Sequence, residues 1–284
     1  KDLFDAAGIT EAPTTFDEIA AVGDQLLEAG AGEVFASKIY GWYFEQYLCK
    51  QGLNYVNNEN GRSEEPATAV EFDTNGGGLN ILNKWNELYT LGYAPNVGRD
   101  GNATDTADFT SGKAAMLLGS TASLKQILTE VNGAFEVGTA YFPGVVEAEG
   151  GVSIGGASLW ALDNGEDTKT EAVWSFIEFL ISAESQAYWN AQTGYFPITT
   201  AAHEEEIFQE NIAQYPQFET AINQLHDSAP QYAGALISVF PEARAIVETE
   251  IENMLNGNQS PEEALTNMAE QINMSIEDYN LLNE

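Results

Sequence analysis

Three arginines, Arg62, Arg99 and Arg244, stand in a chain with 44 acidic and ten basic side chains. An arginine holds a carboxylate or phosphate through a planar fork of N–H donors. Arg244 lies in "PEARAIVETE" on a helical pattern, four residues before Glu248. One use for it is an ion pair along that helix face. Another is local positive charge for an anionic ligand, which so acidic a protein would need. Ser120 follows the apolar "AAMLLG" and precedes the helix-like "ASLKQIL". Its hydroxyl and the adjacent N–H groups suit an anion, or they make an ordinary helix cap. Gly155-Gly156 in "GGASLW" and Gly194 in "TGYFPIT" leave the backbone bare. Such glycines serve a tight turn or let something come close.

Other chemistries are poorly served. The formal net charge of −34 repels nucleic acid and anionic lipid. Calcium loops fail on spacing: the stretch from Asp73 puts Gly77 at position five and Lys84 at position twelve, and the one from Asp100 ends on Ser111. The single cysteine, Cys49, forms no internal disulfide and reads as a buried thiol in "YFEQYLCKQG". His203 and His226 lack metal spacing, and GxSxG, HExxH and P-loop patterns are missing. Neither a metal, nor a cofactor, nor enzymatic activity is expected. No apolar run is long enough to cross a bilayer. The opening "KDLFDAAGIT" is amphipathic and does not read as a leader.

Elements must position these residues. "PTTFDEIAAVGDQLLEAG" predicts a helix capped by Thr15 with Glu18 closing a capping box, and Gly30 stopping it. "GGLNILNKWNELYTLGY" places Leu79, Leu82, Trp85 and Leu88 on one helix side. "TEAVWSFIEFLIS" turns Val173, Phe176, Ile177 and Leu180 inward. Ser182 caps a following helix. Ser260, Pro261 and Glu263 open the last one. Apolar runs at 114–120, 135–143 and 158–162 read as short strands. Helices with interspersed strands predict an α/β architecture.

Six motifs occur in order: Lys1–Ile9, "PTTFDEI" at Pro13–Ile19, "FTSGKAAM" at Phe109–Met116, "GGASLW" at Gly155–Trp160, "TGYFPIT" at Thr193–Thr199 and "GNQSPEEAL" at Gly257–Leu265. This ordered set resembles the family 1 extracellular solute-binding proteins of ABC importers, and within them the glycerol-phosphate-binding subgroup. The stretch Gly234–Gly257 matches that subgroup's glycine-led loop followed by an arginine on a helix.

The resemblance implies a type II periplasmic-binding-protein-like fold of two lobes that close on a ligand by hinge motion. It implies that residues 1–118 and 196–284 form the second, C-terminal lobe. Residues 119–195 would form the return segment of the first lobe and the hinge crossings. The chain then reads as a fragment, with one complete lobe and part of the other. The implied ligand residues are Trp42, Ser120, Gly155, Gly156, Tyr195 and Arg244. Trp42 would be a stacking platform, against a core role; Tyr195 would touch the ligand, against filling the core. Ile39 stands where the subgroup has a second tryptophan. The implied function is extracytoplasmic binding of sn-glycerol-3-phosphate or a related glycerophosphate ester for import, with a sugar as the alternative and an acidic glycan-active enzyme as a lesser one. Expected partners are the small-molecule ligand and membrane permease subunits, for a monomer that is periplasmic or extracellular, or held by a lipid anchor.

Overall fold

Thr15 opens the first long helix as its spacing requires. Its hydroxyl accepts from the Glu18 N–H at 3.2 Å, and the Glu18 carboxylate returns to the Thr14 N–H and hydroxyl. Those Thr14 bonds hold the Glu18 carboxyl below its ordinary value. A computed structural model describes residues 1–99, 103–163 and 165–283, apart from the Asp167 side chain. Asp100, Gly101 and Asn102, which open the second loop tested for calcium, lie outside the described residues.

The elements run α1 (Asp2–Ala7), α2 (Phe16–Glu28), β1 (Glu33–Ala36), α3 (Gly41–Lys50), α4 (Asn57–Gly61), α5 (Gly77–Thr90), α6 (Thr104–Thr110) and β2 (Ala114–Leu117). Then follow α7 (Leu124–Val131), α8 (Asp167–Leu180), α9 (Ala183–Thr193), α10 (Glu206–Gln214), α11 (Glu219–Asp227), α12 (Phe240–Leu255) and α13 (Pro261–Asn283). Ser260 and Glu263 make the expected reciprocal box at the start of α13. Ser182 caps α9 through the Ser185 N–H. The segment α4 is unusual: Asn58, Glu59 and Asn60 all have φ near +55°, and Gly61 continues the left-handed turn. Polar side chains sustain it, since Asn60 Oδ1 accepts from the Tyr55 and Val56 N–H groups and Asn58 donates to the Pro66 carbonyl.

The chain divides into two compact units. Unit 1 comprises Lys1–Leu118, Ala140–Ser153 and Gln224–Glu284; unit 2 comprises Gly119–Thr139 and Ile154–Asn223. Residues 140–153 belong to unit 1, and 196–223 belong to unit 2. Side-chain amides bind 140–153 into unit 1. Gln224 accepts from the Phe142 N–H at 2.9 Å and donates back to its carbonyl, and Gln46 exchanges hydrogen bonds with Ser153.

Unit 1 holds the larger core. β1 and β2 pair in parallel, with Phe35 opposite Met116, and the interior is built on edge-on aromatic rings such as Phe16–Tyr47 at 5.2 Å and Phe44–Phe72 at 5.1 Å. Leu82, Trp85 and Leu88 of α5 are buried as predicted, and α12 packs on α13, α3 and α5. The strand β1, four buried residues without alternation, is missed by the pattern. Among the described residues, 135–143 and 158–162 carry no strand, contrary to expectation: an apolar run becomes a strand only when a neighbour takes its backbone groups.

Unit 2 has a small core around Ala187, Ala202, Phe208 and Ile222. Helix α8 forms where predicted but turns only part of its stripe inward: Ile177 and Leu180 are half-buried, whereas Val173 and Phe176 are exposed. Phe179 is exposed too, and Trp160 just before the helix is 85% exposed. The helix packs against α9, and the described residues of unit 2 do not cover its apolar side.

Candidate ligand-binding site

The six candidate residues fall into two groups, one in each unit. In unit 1 the first turn of α3 lies against α12. A Cβ at Gly41 would come within 2.6 Å of the Arg244 Cβ, so the missing side chain permits the approach. That closeness brings Arg244 over α3, where its Nε donates to Glu45 Oε1 at 2.6 Å and its Nη2 donates to Glu45 Oε2 at 3.0 Å. The guanidinium also lies over the Phe240 ring, 4.9 Å from the centroid. The expected alternative partner, Glu248, is engaged elsewhere: its Oε1 accepts from the Gly41 N–H at 2.9 Å and so occupies the positive end of α3. The physical reason is burial. Glu45 is only 7% exposed and must be paired, whereas an i,i+4 bridge in water gains little.

Burial pushes the Glu45 carboxyl above its ordinary value, and the bonds from Arg244 oppose that. Arg244 is raised in turn, first by its hydrogen bond to Glu45. Tyr55 faces the same pair and is pushed up mainly by burial, with the Glu45 charge adding to it. Burial likewise lifts the Cys49 thiol, in keeping with a buried, protonated cysteine. The other two arginines are also committed: Arg99 pairs with Glu252, and Arg62 donates to the carbonyls of Asn60, Ala233 and Gly234.

Trp42 follows Gly41 on α3 and is half-buried. Its ring lies 6.2 Å from Tyr40 and 6.1 Å from Tyr43, and Lys38 Nζ sits over the Tyr40 ring. The tryptophan is therefore part core and part surface, beside the Arg244 helix.

In unit 2, Ser120 and the Tyr195 segment are brought together. Gly194 ends α9 with φ 102°, and a Cβ there would run into the Thr121 carbonyl. The Ser120 hydroxyl accepts from the Ala122 N–H at 3.3 Å, so it caps the 3-10 turn Thr121–Ser123 that leads into α7. Tyr195 does not fill a core: it is 44% exposed, with its ring 6.4 Å from the exposed Trp189. Gly155 and Gly156 are exposed, and a Cβ on Gly156 would meet nothing within 4 Å at an ordinary φ. Among the described residues, neither a left-handed turn nor packing accounts for Gly156.

Glu45 and Gly41 were missed in the sequence. The available signal was a lone carboxylate in the apolar helix "GWYFEQYLCK", since such a group is buried only with a partner.

The chain matches the model of a family described as bacterial extracellular solute-binding protein over residues 1–220. It is 30% identical over 283 residues to the sn-glycerol-3-phosphate-binding periplasmic protein UgpB of Pectobacterium atrosepticum, a match that covers 96% of this chain and 62% of that protein. Among solved structures, it superposes on the cyclic alpha-maltosyl-1,6-maltose binding protein from Arthrobacter globiformis with a TM-score of 0.77 at 22% identity, covering 97% of this chain and 68% of that one. UgpB from Mycobacterium tuberculosis, solved with glycerophosphocholine, gives 0.74 at 21%, covering 98% and 67%. The fold is thus the type II periplasmic-binding-protein-like one, and the chain spans about 62% of the length of the curated relative it matches. By the match over residues 1–220, the chain belongs to the bacterial extracellular solute-binding protein family.

Proposed function

We propose that the protein is the extracytoplasmic solute-binding component of an ABC importer, and that its ligand is sn-glycerol-3-phosphate or a related glycerophosphate ester. Arg244 carries the ligand assignment. It is the single cation among the six candidates, it is fixed on α12 next to Trp42, and its side chain stays 36% exposed. Glu45 holds its Nε and Nη2 and so fixes the guanidinium in place, and an arginine can also donate to an anionic oxygen. The relative from Pectobacterium atrosepticum is named for this ligand class, which favours the same reading. In unit 1, Trp42 offers an aromatic face for the C–H surface of a polyol. In unit 2 taken by itself, Tyr195 offers a second such ring, Ser120 a hydroxyl and Gly156 an unobstructed backbone. Permease subunits are the implied protein partners, the protein acts as a monomer, and its work is binding without chemical change.

A neutral sugar is the second reading, favoured by the aromatic cluster of Tyr40, Trp42 and Tyr43. Calorimetric titration of the full native chain with glycerol-3-phosphate and with maltose tests both. The phosphate reading expects one-to-one binding of glycerol phosphates that weakens with added salt, and no product after prolonged incubation. Tight binding of maltose alone establishes the second reading, and release of product refutes the binder reading.

A further inference from the structure

Glu250 of α12 is a buried carboxylate without a cation. It is 6% exposed, and among the described residues no lysine, arginine or histidine pairs with it. Side-chain amides hold it instead. Gln259, in the connection between α12 and α13, donates its Nε2 to Glu250 Oε2 at 2.8 Å and to the Glu250 carbonyl at 2.9 Å. Gln271 of α13 donates to Oε1 at 3.0 Å. Asn267, one turn earlier on α13, donates to Gln259 Oε1 at 2.8 Å and so steadies that amide, and lies 3.5 Å from Oε2.

The rest of this helix contact is indifferent to place. Glu250 stands in the buried stripe of α12 with Ala243, Val247, Ile251 and Met254, and α13 buries Leu265, Met268 and Ile272. Apolar burial is non-directional, so such side chains repack when one helix rolls or slides on the other. The carboxylate must find its donors again. Arg244 stands on the same helix beside Ala243, and its place is narrow: it forks onto Glu45 of α3, and a Cβ on Gly41 would come within 2.8 Å of its Cα.

We propose that Glu250 fixes the register of α12 on α13 and thereby places Arg244 over α3: it is a positioning residue that contributes direction rather than stability. The consequence for ligand binding rests on the reading that Arg244 contacts the ligand; the placing of Arg244 on Glu45 does not. A buried charged group is a weak source of stability, because desolvation offsets what its partners return. An apolar side chain of similar volume therefore replaces it at little cost, and Gln259, Asn267 and Gln271, half-buried or exposed, turn to water. What goes with the carboxylate is the penalty on every other register, the use of a buried polar group that is best attested in paired helices. Helix α12 is then free to settle where Glu45 and Arg244 both meet water, and an ion pair in water gains little. Glutamine at position 250 keeps the shape and one acceptor, and the facing amides turn an oxygen to its NH2 group.

The test is a double-mutant cycle in urea on the full native chain, with Arg244→Ala measured in wild type, in Glu250→Met and in Glu250→Gln. Glu250→Met is expected to keep or raise the wild-type midpoint. In that background Arg244→Ala should lower the midpoint by less than about half of what it does in wild type, and Glu250→Gln should restore the full effect. Calorimetry with glycerol-3-phosphate should follow the same order: about tenfold weaker binding in Glu250→Met, the scale of one charge-assisted hydrogen bond, and recovery in Glu250→Gln. An equal loss from Arg244→Ala in wild type and Glu250→Met overturns the inference. So does a Glu250→Met chain that does not fold or melts far earlier in urea, since the carboxylate would then hold the fold and not the register. A reduced loss with unchanged affinity overturns the consequence for the ligand. Wild type that does not bind glycerol-3-phosphate removes the functional reading, and the urea cycle still decides the placing of Arg244.

Discussion

Gly41 and Arg244 touch: a methyl group on Gly41 would lie 2.6 Å from Cβ and 2.8 Å from Cα of Arg244. The second of these contacts is with backbone, which cannot swing aside. Gly41→Ala therefore pushes α12 away from α3 and disturbs the Glu45–Arg244 fork. Overpacking of this kind costs about 1–3 kcal/mol. Urea unfolding should show a lower midpoint at an unchanged slope, the product of slope and midpoint shift matching that free energy. An unaltered midpoint would mean that the two helices are not held this closely.

Arg244→Ala leaves the Glu45 carboxylate buried without its partner. The loss at about pH 7 is expected near 3 kcal/mol, the low end for a broken buried pair, because Arg244 is itself partly exposed. Burial raises the native Glu45 above its ordinary 4.5, so the folded state binds this proton more tightly than the unfolded one. Its contribution is most favourable below 4.5 and is withdrawn as the pH rises through 4.5 and past the raised native value. Without Arg244 that withdrawal deepens, so the gap between variant and wild type narrows toward acid. A gap that is constant with pH would refute the account.

The surface charge makes stability salt-dependent. Self-repulsion at −34 is screened as sodium chloride rises from about 0.01 M to about 1 M. Scanning calorimetry should show the melting temperature climbing across that range. A flat or falling trend would show that ion pairs such as Arg99–Glu252 and Lys84–Asp17 outweigh the repulsion.

The exposed aromatic face of unit 2 has a spectroscopic signature. Trp160, Trp174 and Trp189 are all more than half exposed, whereas Trp85 is buried. Acrylamide should quench most of the tryptophan emission of the 284-residue chain, and Trp160→Phe should remove a readily quenched share of it. Emission resistant to quenching would contradict the exposure of this face.

Local chemistry was readable and distant chemistry was not. The caps at Thr15, Ser182 and Ser260 were legible because donor and acceptor lie three residues apart. The buried side of α5 was legible because its period is that of the helix. The α8 stripe was equally clear, yet periodicity says only which residues share a side, not what covers them. For Arg244 the local partner was four residues away and the real one is 199 away, so only the α3–α12 packing reveals it. Ser120 was ambiguous between cap and contact, and its hydroxyl does cap.

The left-handed turn at Asn58–Gly61 also bears on how the protein ages. An Asn-Gly pair deamidates when the glycine nitrogen attacks the asparagine side-chain carbonyl. Here the Asn60 carbonyl is held toward the Tyr55 and Val56 N–H groups, and the backbone is fixed at φ 58°. Folding thereby shields Asn60 from its own neighbour, and unfolding releases it. Aspartate at position 60 would then accumulate with time spent unfolded, a mass-spectrometric record of the molecule's thermal history.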